Sequence, residues 1–555
     1  ALFKGCRPLP HCPPFLCVVG ELVARVASAQ LIHETTAFSL TVGELVALHK
    51  DNLIKRTARK LQQLPLQLRP VNIGSRLLAW AFKLALKAAE ITSFLRTLIE
   101  IQLGISAKRG PEILAHFLWA KWNSGDAILV TDQRNAFNEI DRNAMLEAVH
   151  RNIPGITRLF NTFYGIISMC LFFVDGSPAI IWSCEGSRMG CVGGSFCFDL
   201  TVHPAYEGIR DRDAARNHDQ PISIRAHTDD APITIPTPRP GEVTDASVAD
   251  FYERVGLILD DARELLAEVS LTSNREKCKL LVPDHIPDPP DGPDRGFDVV
   301  RGGVDVAGVP IGVTRVDSFF EDWRRLLSDK LEATKLLHPQ VAIGLIARSF
   351  IPSCFYAFQV TPSCLTEVHA AAFDDLFTEL RTDVLSPPTL EQPLTHSNER
   401  LTVANYIAQL PRRCDGGGLT SLAAFAKSAY WASLASSIND DEPLQQVCES
   451  LADFATAAHD LLLRQLTDHG PLDERTAEIF PISDPLAVLR PGDFYHRLFT
   501  SSKIRLQKSL AQLVQGSQRQ QLLNHIDQNG IGWVQSEDIV ELQTHGARRS
   551  HSLVL

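Results

Sequence analysis

Two carboxylate positions carry the most chemistry in this sequence. Asp132 follows the apolar run Ala127-Ile128-Leu129-Val130-Thr131, and the pair Asp229-Asp230 separates two β-patterned segments, 222–227 and 231–235. A short, nearly continuous apolar run is the pattern of a buried strand. Asp132 is therefore expected at the C-terminal end of a strand, and Asp229-Asp230 at the tip of a hairpin. If those strands are neighbours in one sheet, the carboxylates converge, and carboxylates held that close repel unless a cation neutralises them. Hard oxygen ligands select Mg²⁺, which keeps waters and binds substrate phosphates. Two such ions about 4 Å apart can clamp the attacking and leaving oxygens of a phosphoryl transfer. The dipeptide alone says little, since Asp-Asp occurs four times. The copies at 260–261, 374–375 and 440–441 fall in helical or polar patterns, where solvation is the default.

The elements that must position these groups are legible in outline. Helical spacing runs through 77–103, with Lys83 and Lys87 on a polar face, and a second helix through 111–122, broken at Gly125. After the strand at 127–131 comes a long helical stretch, 142–163. Apolar segments at 166–174 and 179–182 flank Asp175-Gly176, a hairpin signal. A Gly-rich turn at 185–194 opens another helix, and 250–269 is a further one. A loop with four Pro and four Asp covers 284–296. From 318 onward the chain reads as helical, punctuated at Ser386-Pro387-Pro388 and at 415–418. In the tail, Ile504, Leu506, Leu510 and Leu513 form a stripe best read as packing.

Composition narrows the classes. With 555 residues, 45% hydrophobic and 21% charged, the chain has the make-up of a globular protein of three or four domains. Its longest uncharged apolar stretch near the middle, 165–174, is about half of what spans a bilayer, so no transmembrane helix and no membrane partner are expected. The net charge of −11, from 54 Lys+Arg against 65 Asp+Glu, argues against a surface coated for non-specific nucleic-acid binding. It leaves room for a local basic channel, with Lys55-Arg56, Arg59-Lys60 and Lys108-Arg109 as its clusters. Twelve scattered cysteines, none in a CxxC pair, form neither a disulfide framework nor a zinc pattern. The chain opens on Ala1 without a signal-peptide pattern. It reads as a fragment or processed chain of an intracellular protein, nuclear or cytoplasmic.

In this setting the ordered motifs resemble the palm of a reverse transcriptase, nearest to the non-LTR retrotransposon polymerases. They are Asp132-Gln-Arg-Asn-Ala136-Phe137, then 185–195 with Gly186, Met189, Gly190 and Gly194, then Ala226-His-Thr-Asp229-Asp230. Arg69-Pro70-Val71 is similar to the Arg-Pro-Ile of the fingers, and Gln102-Leu103-Gly104 to the Gln-Phe-Gly before the first catalytic strand. The segment 271–279, with Asn274 and Lys277, resembles the Asn-x-x-Lys motif after the catalytic hairpin. Gly308 to Gly312 resembles the turn entering the thumb, and 410–419 a Gly-rich segment beyond it. The resemblance spans residues 40–440.

That resemblance implies an α+β right-hand polymerase: fingers, a palm with an antiparallel sheet, a helical thumb and a helical C-terminal region. The implied domains are 1–125 (N-terminal extension and fingers), 126–300 (palm), 301–440 (thumb and connection) and 441–555 (helical C-terminal domain). It implies RNA-directed DNA synthesis with an RNA template, a DNA primer and dNTPs, using two Mg²⁺ ions, with Mn²⁺ as a substitute. Asp132, Asp229 and Asp230 would hold the metals, Asp230 less strictly, with the Gln133 carbonyl as a further ligand. Phe137, beside Ala136, would obstruct a 2′-hydroxyl. Gly186, Met189 and Gly190 would lie along the nucleotide and template. Arg69 would pair with the triphosphate, and Lys277 would be the general acid for pyrophosphate.

Three positions depart from the family pattern. His227 replaces an aromatic two residues before Asp229, Met189 replaces a Gln, and Pro232 sits in the returning strand. Met189, His227 and the acidic pI keep open a catalytically inactive reverse-transcriptase-like interaction protein. An RNA-directed RNA polymerase is a weaker alternative, because Ala136-Phe137 leaves no room for a 2′-hydroxyl. No zinc-knuckle or nuclease pattern is visible beside the polymerase motifs.

Overall fold

The computed structural model describes residues 14–28, 33–49, 68–87, 89–174, 177–216, 220–274, 277–289, 296–385, 419–468, 483–490 and 510–516, with 480 and 518. The cluster at 55–60, the turn 175–176, the glycines at 415–418, Ile504 and Leu506 lie outside the described residues. The chain divides into two compact units. One holds residues 1–114 and 125–302, the other 115–124 and 303–555.

Among the described residues, the first unit is a mixed α/β body with two sheets. β1 (Gly43–His49), β2 (Leu68–Ile73), β4 (Ser168–Val174) and β5 (Ser177–Ser183) form a four-stranded sheet in the order β2-β1-β4-β5. The hairpin expected around 175–176 is its β4–β5 pair, antiparallel from Ser168↔Ser183 to Val174↔Ser177. The second sheet carries the chemistry. It contains β3 (Ala127–Val130), β6 (Ser223–Ile224), β7 (Ile233–Ile235), β8 (Lys279–Leu281) and β9 (Asp298–Val300), in the order β6-β7-β3-β8-β9. β3 is central, which is why its sequence is apolar on both faces: Ala127, Ile128 and Leu129 are all fully buried.

The expected single helical stretch at 142–163 is instead two helices, Arg142–Asn152 and Thr157–Tyr164, joined by a 3₁₀ turn at Pro154–Ile156. Pro154 has no N–H and crowds the residue before it. Ile153 accordingly leaves helical geometry at φ −141°, ψ 67°. The bend brings Phe160 and Phe163 onto Phe82, with ring centroids 5.0 and 6.2 Å apart. The helix opened by the Gly-rich turn, Val192–Ala215, runs through the same core, with Phe196, Phe198 and Val202 buried.

Among the described residues, the second unit is helical apart from β10 (Val304–Val306) and β11 (Val309–Ile311), an antiparallel pair. Its core helix, Leu422–Asp440, is buried on nearly every side, including Tyr430 and Trp431. Residues 115–124 belong here: Trp119 meets Phe454 edge-on at 5.5 Å, and His116 Nε2 lies 3.0 Å from Ser433 Oγ. In the tail, Leu510 and Val514 are buried and Leu513 is half-buried.

One helical run departs from the expectation that none could span a bilayer. Pro339–Val360, with mean hydropathy 1.6, is long and apolar enough by length and composition. Arg348 stands near the middle of this run. Its Cys354, Ala357 and Phe358 are buried, and Phe358 stacks on Phe320 at 4.7 Å, but only a third of its apolar window is buried.

Candidate active site

The site grows from the position of β3. On one side it pairs antiparallel with β7 (Leu129↔Ile233), on the other with β8 (Leu129↔Leu280). Because the partners run opposite to β3, its C-terminal end faces the approach to β7 and the approach to β8. Asp132 lies two residues past that end, the Asp229-Asp230 turn precedes β7, and Asn274 and Lys277 precede β8. One strand end therefore collects three separate stretches of sequence.

Contacts beyond the ladders extend this convergence. Gln133 bridges Ser273, Asn274 N–H donates to the Asp132 carbonyl at 2.8 Å, and Arg134 N–H donates to the Thr272 carbonyl at 2.8 Å. At the side chain, Asp132 Oδ2 accepts from Lys277 Nζ at 3.1 Å and from Asn274 Nδ2 at 3.2 Å. Asp132 is half-exposed and Lys277 exposed, so this ion pair faces solvent.

The hairpin tip is a tight turn. His227 and Asp230 exchange backbone hydrogen bonds, at 2.8 and 3.3 Å. Thr228 takes φ +59°, a left-handed conformation that a β-branched residue rarely adopts. Its hydroxyl donates to the His227 carbonyl at 2.6 Å and lies 3.1 Å from Asp229 Oδ1. Pro232 does not break the hairpin, since its carbonyl accepts from Arg225 N–H at 3.4 Å.

Electrostatics tie the acids together. The Asp230 carboxyl is pushed from 3.8 up to about 6, first by burial among protein atoms, then by the charges of Asp229 and Asp132, while Arg69 pulls it down. The residue as a whole is exposed, so water screens part of this effect. Arg69, exposed on β2, is thus within electrostatic reach of the hairpin tip. Burial lowers the His227 imidazole below its usual range and favours the neutral ring, against the pull of its own backbone and of Asp229.

The remaining motif residues take up places around these acids. Ala136 and Phe137 are buried in the short helix Ala136–Glu139, where the Phe137 ring stacks on Phe198 at 4.6 Å and 18°. The Phe137 carbonyl accepts from Ser187 N–H, which ties this helix to the Gly-rich turn. Met189 is half-buried against the core, and its carbonyl accepts from Asn72 N–H at 2.9 Å. Gly186 is buried, and Gly190 takes φ +96° with the Asn72 carbonyl 2.7 Å from where a Cβ would stand. The glycine at 190 is thus required by the turn's own packing on β2.

Three side chains of weight here carried no sequence signal. Arg142 donates to the carbonyls of Ser183, Glu185 and Gly186, and Arg188 to those of Thr41 and Phe163. Their guanidiniums lie 5.6 and 5.5 Å from the Tyr164 ring, so two cations share one aromatic ring and fix the Gly-rich turn. Asp199, in the helix Val192–Ala215, is fully buried, and neither of its carboxyl oxygens has a hydrogen-bond partner among the described residues. Burial, reinforced by Asp229, drives its carboxyl well above the ordinary range.

The donor set suits a hard divalent cation. It consists of carboxylates at a strand end open to water, where the charges of Asp229 and Asp132 help to raise the proton affinity of Asp230. Among the described residues no group of three or more His, Cys, Asp or Glu side chains stands where it could hold a metal ion.

No protein-family model and no curated protein matches the chain. Among solved structures it is similar to the apo telomerase of Candida tropicalis truncated from its C-terminal domain. That match has 11% identity and a TM-score of 0.31, over 53% of this chain and 58% of that one. It is also similar to the telomerase of Candida albicans in complex with a TWJ fragment of telomeric RNA. There the identity is 9% and the TM-score 0.33, over 76% of this chain and 64% of that one. The chain spans about three fifths of the length of each telomerase.

Proposed function

We propose that the chain is a template-directed nucleotidyltransferase of the reverse-transcriptase kind, RNA-directed and DNA-synthesising, from a mobile element of the non-LTR type. The observation that carries this reading is the convergence at the end of β3. Asp132, the Asp229-Asp230 turn and the Asn274–Lys277 segment meet there in the order that the motifs have in the sequence. Asp132 and Asp229, with Asp230 in support, would hold the divalent ions, which supply charge neutralisation for the primer 3′-oxygen and the leaving pyrophosphate. Lys277, already within 3.1 Å of Asp132, would release that carboxylate and offer its proton to the departing phosphate. Arg69 would meet the triphosphate. Phe137, backed by Phe198, would present an unyielding wall to a 2′-hydroxyl. RNA template, DNA primer and dNTPs are the substrates this reading requires.

The test is primer extension on an RNA template with Mg²⁺, supplied with dNTPs or NTPs. Extension with dNTPs is expected, and Asp132→Asn or Asp229→Asn should reduce it to background while each variant keeps the wild-type circular dichroism. Extension by either variant at the wild-type rate would remove the metal assignment. A second reading, a folded reverse-transcriptase-like protein without catalysis, is favoured by Met189, whose thioether cannot replace an amide's hydrogen bonds. Wild-type protein that binds primer–template but adds no nucleotide would establish it.

A further inference from the structure

The segment Gln102-Leu103-Gly104 has no chemistry of its own, yet it lies against the hairpin that bears Asp229. Ala226 N–H donates to the Ile101 carbonyl at 2.6 Å, and Leu103 N–H donates back to the Ala226 carbonyl at 2.7 Å. Gln102 and Ala226 thereby form a parallel bridge. One residue earlier, Arg225 Nη1 donates to the Glu100 carbonyl at 3.0 Å. The strand leading to Asp229 is thus held on one edge by β7 and on the other by residues 100–103.

The same segment also reaches the helix behind. Gln102 is fully buried, and its Nε2 donates to the Asp199 backbone carbonyl at 3.2 Å. At the next position but one, a Cβ would crowd its neighbours. A Cβ on Gly104 would stand 2.7 Å from Asp199 Oδ2, 3.1 Å from Thr228 N and 3.2 Å from Thr228 Cγ2. The backbone of the turn, the Asp199 carboxyl and Gly104 therefore share one close-packed point. Thr228 sits there in the left-handed conformation, which persists only where the surroundings over-determine it.

We propose that Gln102 and Gly104, packed against Asp199, are positioning residues that fix the backbone at Thr228 and so the place of Asp229 beside Asp132. This rests on the reading of Asp132 and Asp229 as the metal-holding pair. The two act through the turn and touch no substrate. Partners that orient metal-holding groups are worth about 10–100-fold in metal affinity.

The test uses the full chain as wild type, Gly104→Ala, Gln102→Ala and the double variant Gly104→Ala/Asp199→Ser. Three quantities are read: melting temperature, amide hydrogen exchange of residues 227–230, and Mn²⁺ affinity by electron paramagnetic resonance without substrate. Gly104→Ala should speed exchange at 227–230 and weaken Mn²⁺ binding by about tenfold or more, with exchange elsewhere in the sheet unchanged. Shortening residue 199 in the double variant should restore part of both. If Gly104→Ala does not fold, Gln102→Ala, which loses a single hydrogen bond, gives the same readouts with a smaller effect. Unchanged exchange at 227–230 in a folded variant overturns the proposal, as does faster exchange with unaltered Mn²⁺ affinity. Wild-type protein that binds no Mn²⁺ overturns the metal reading instead, and exchange alone then decides whether the brace exists.

Discussion

At the scale of single residues, the acids at the end of β3 make the sharpest demands. Asp230 has its proton affinity raised in the folded chain, so between about pH 4 and 6 the native state binds more protons than the unfolded state. Stability without metal should therefore fall as pH rises through that window and level off above it. Asp230→Asn removes the titrating group, and its melting temperature should lose that component of the pH slope. Melting curves in a chelating buffer from pH 4 to 7.5 check this, and parallel slopes for the two proteins would contradict it. Phe137 poses a different question, because its ring serves two roles. Stacked on Phe198 and 8% exposed, it is part of the core. Phe137→Ala should cost on the order of 3 kcal/mol in stability. If the ring also screens the sugar, the variant should raise NTP use relative to dNTP, assayed below its lowered melting temperature. A lost melting temperature with an unchanged sugar preference would leave the ring as packing alone.

At the scale of elements, strain is concentrated in the hairpin turn. A β-branched residue at φ +59° costs about 1–3 kcal/mol. Thr228→Gly should recover part of that, raising the melting temperature, while removing the hydroxyl beside Asp229 and slowing nucleotide addition. A variant that melts lower than wild type would show that the threonine contacts outweigh the strain. The hairpin itself was legible in the sequence: an acidic pair between two β-patterned runs admits few other structures. β3 was equally plain, because a strand flanked on both sides must be apolar throughout. The break at Pro154 could have been read from the proline, but the apolar spacing continues across it and masks the bend. The roles of Arg142, Arg188 and Asp199 could not be read at all. Their importance comes from burial, and burial of a polar residue is decided by which distant segments pack on it. An arginine that satisfies three carbonyls looks, in sequence, like an arginine in water. For the same reason the motif glycines were assigned to ligand approach, whereas at Gly190 the close neighbour is the protein's own Asn72 carbonyl.

At the scale of the whole molecule, the candidate site lies entirely within the first unit, and none of the motif residues from Arg69 to Lys277 belongs to the second. The first unit is nevertheless discontinuous, because residues 115–124 are counted with the second. Phe117, Leu118 and Trp119 are buried there, and Trp119 packs on Phe454. A protease cut near residue 302 should therefore give two fragments on a denaturing gel that elute together on native gel filtration. Separate elution would mean that the interlude at 115–124 contributes little cohesion. The chain also cannot be shortened to residues 1–302 without uncovering that aromatic surface. A genetic deletion of everything after residue 302 should yield insoluble protein even though the motif residues from Arg69 to Lys277 are all retained. Evolution faces the same constraint: a lineage that lost the second unit would first have to rewrite ten residues lying upstream of Asp132. The stretch 115–124 thus belongs by sequence to one half of the molecule and by packing to the other.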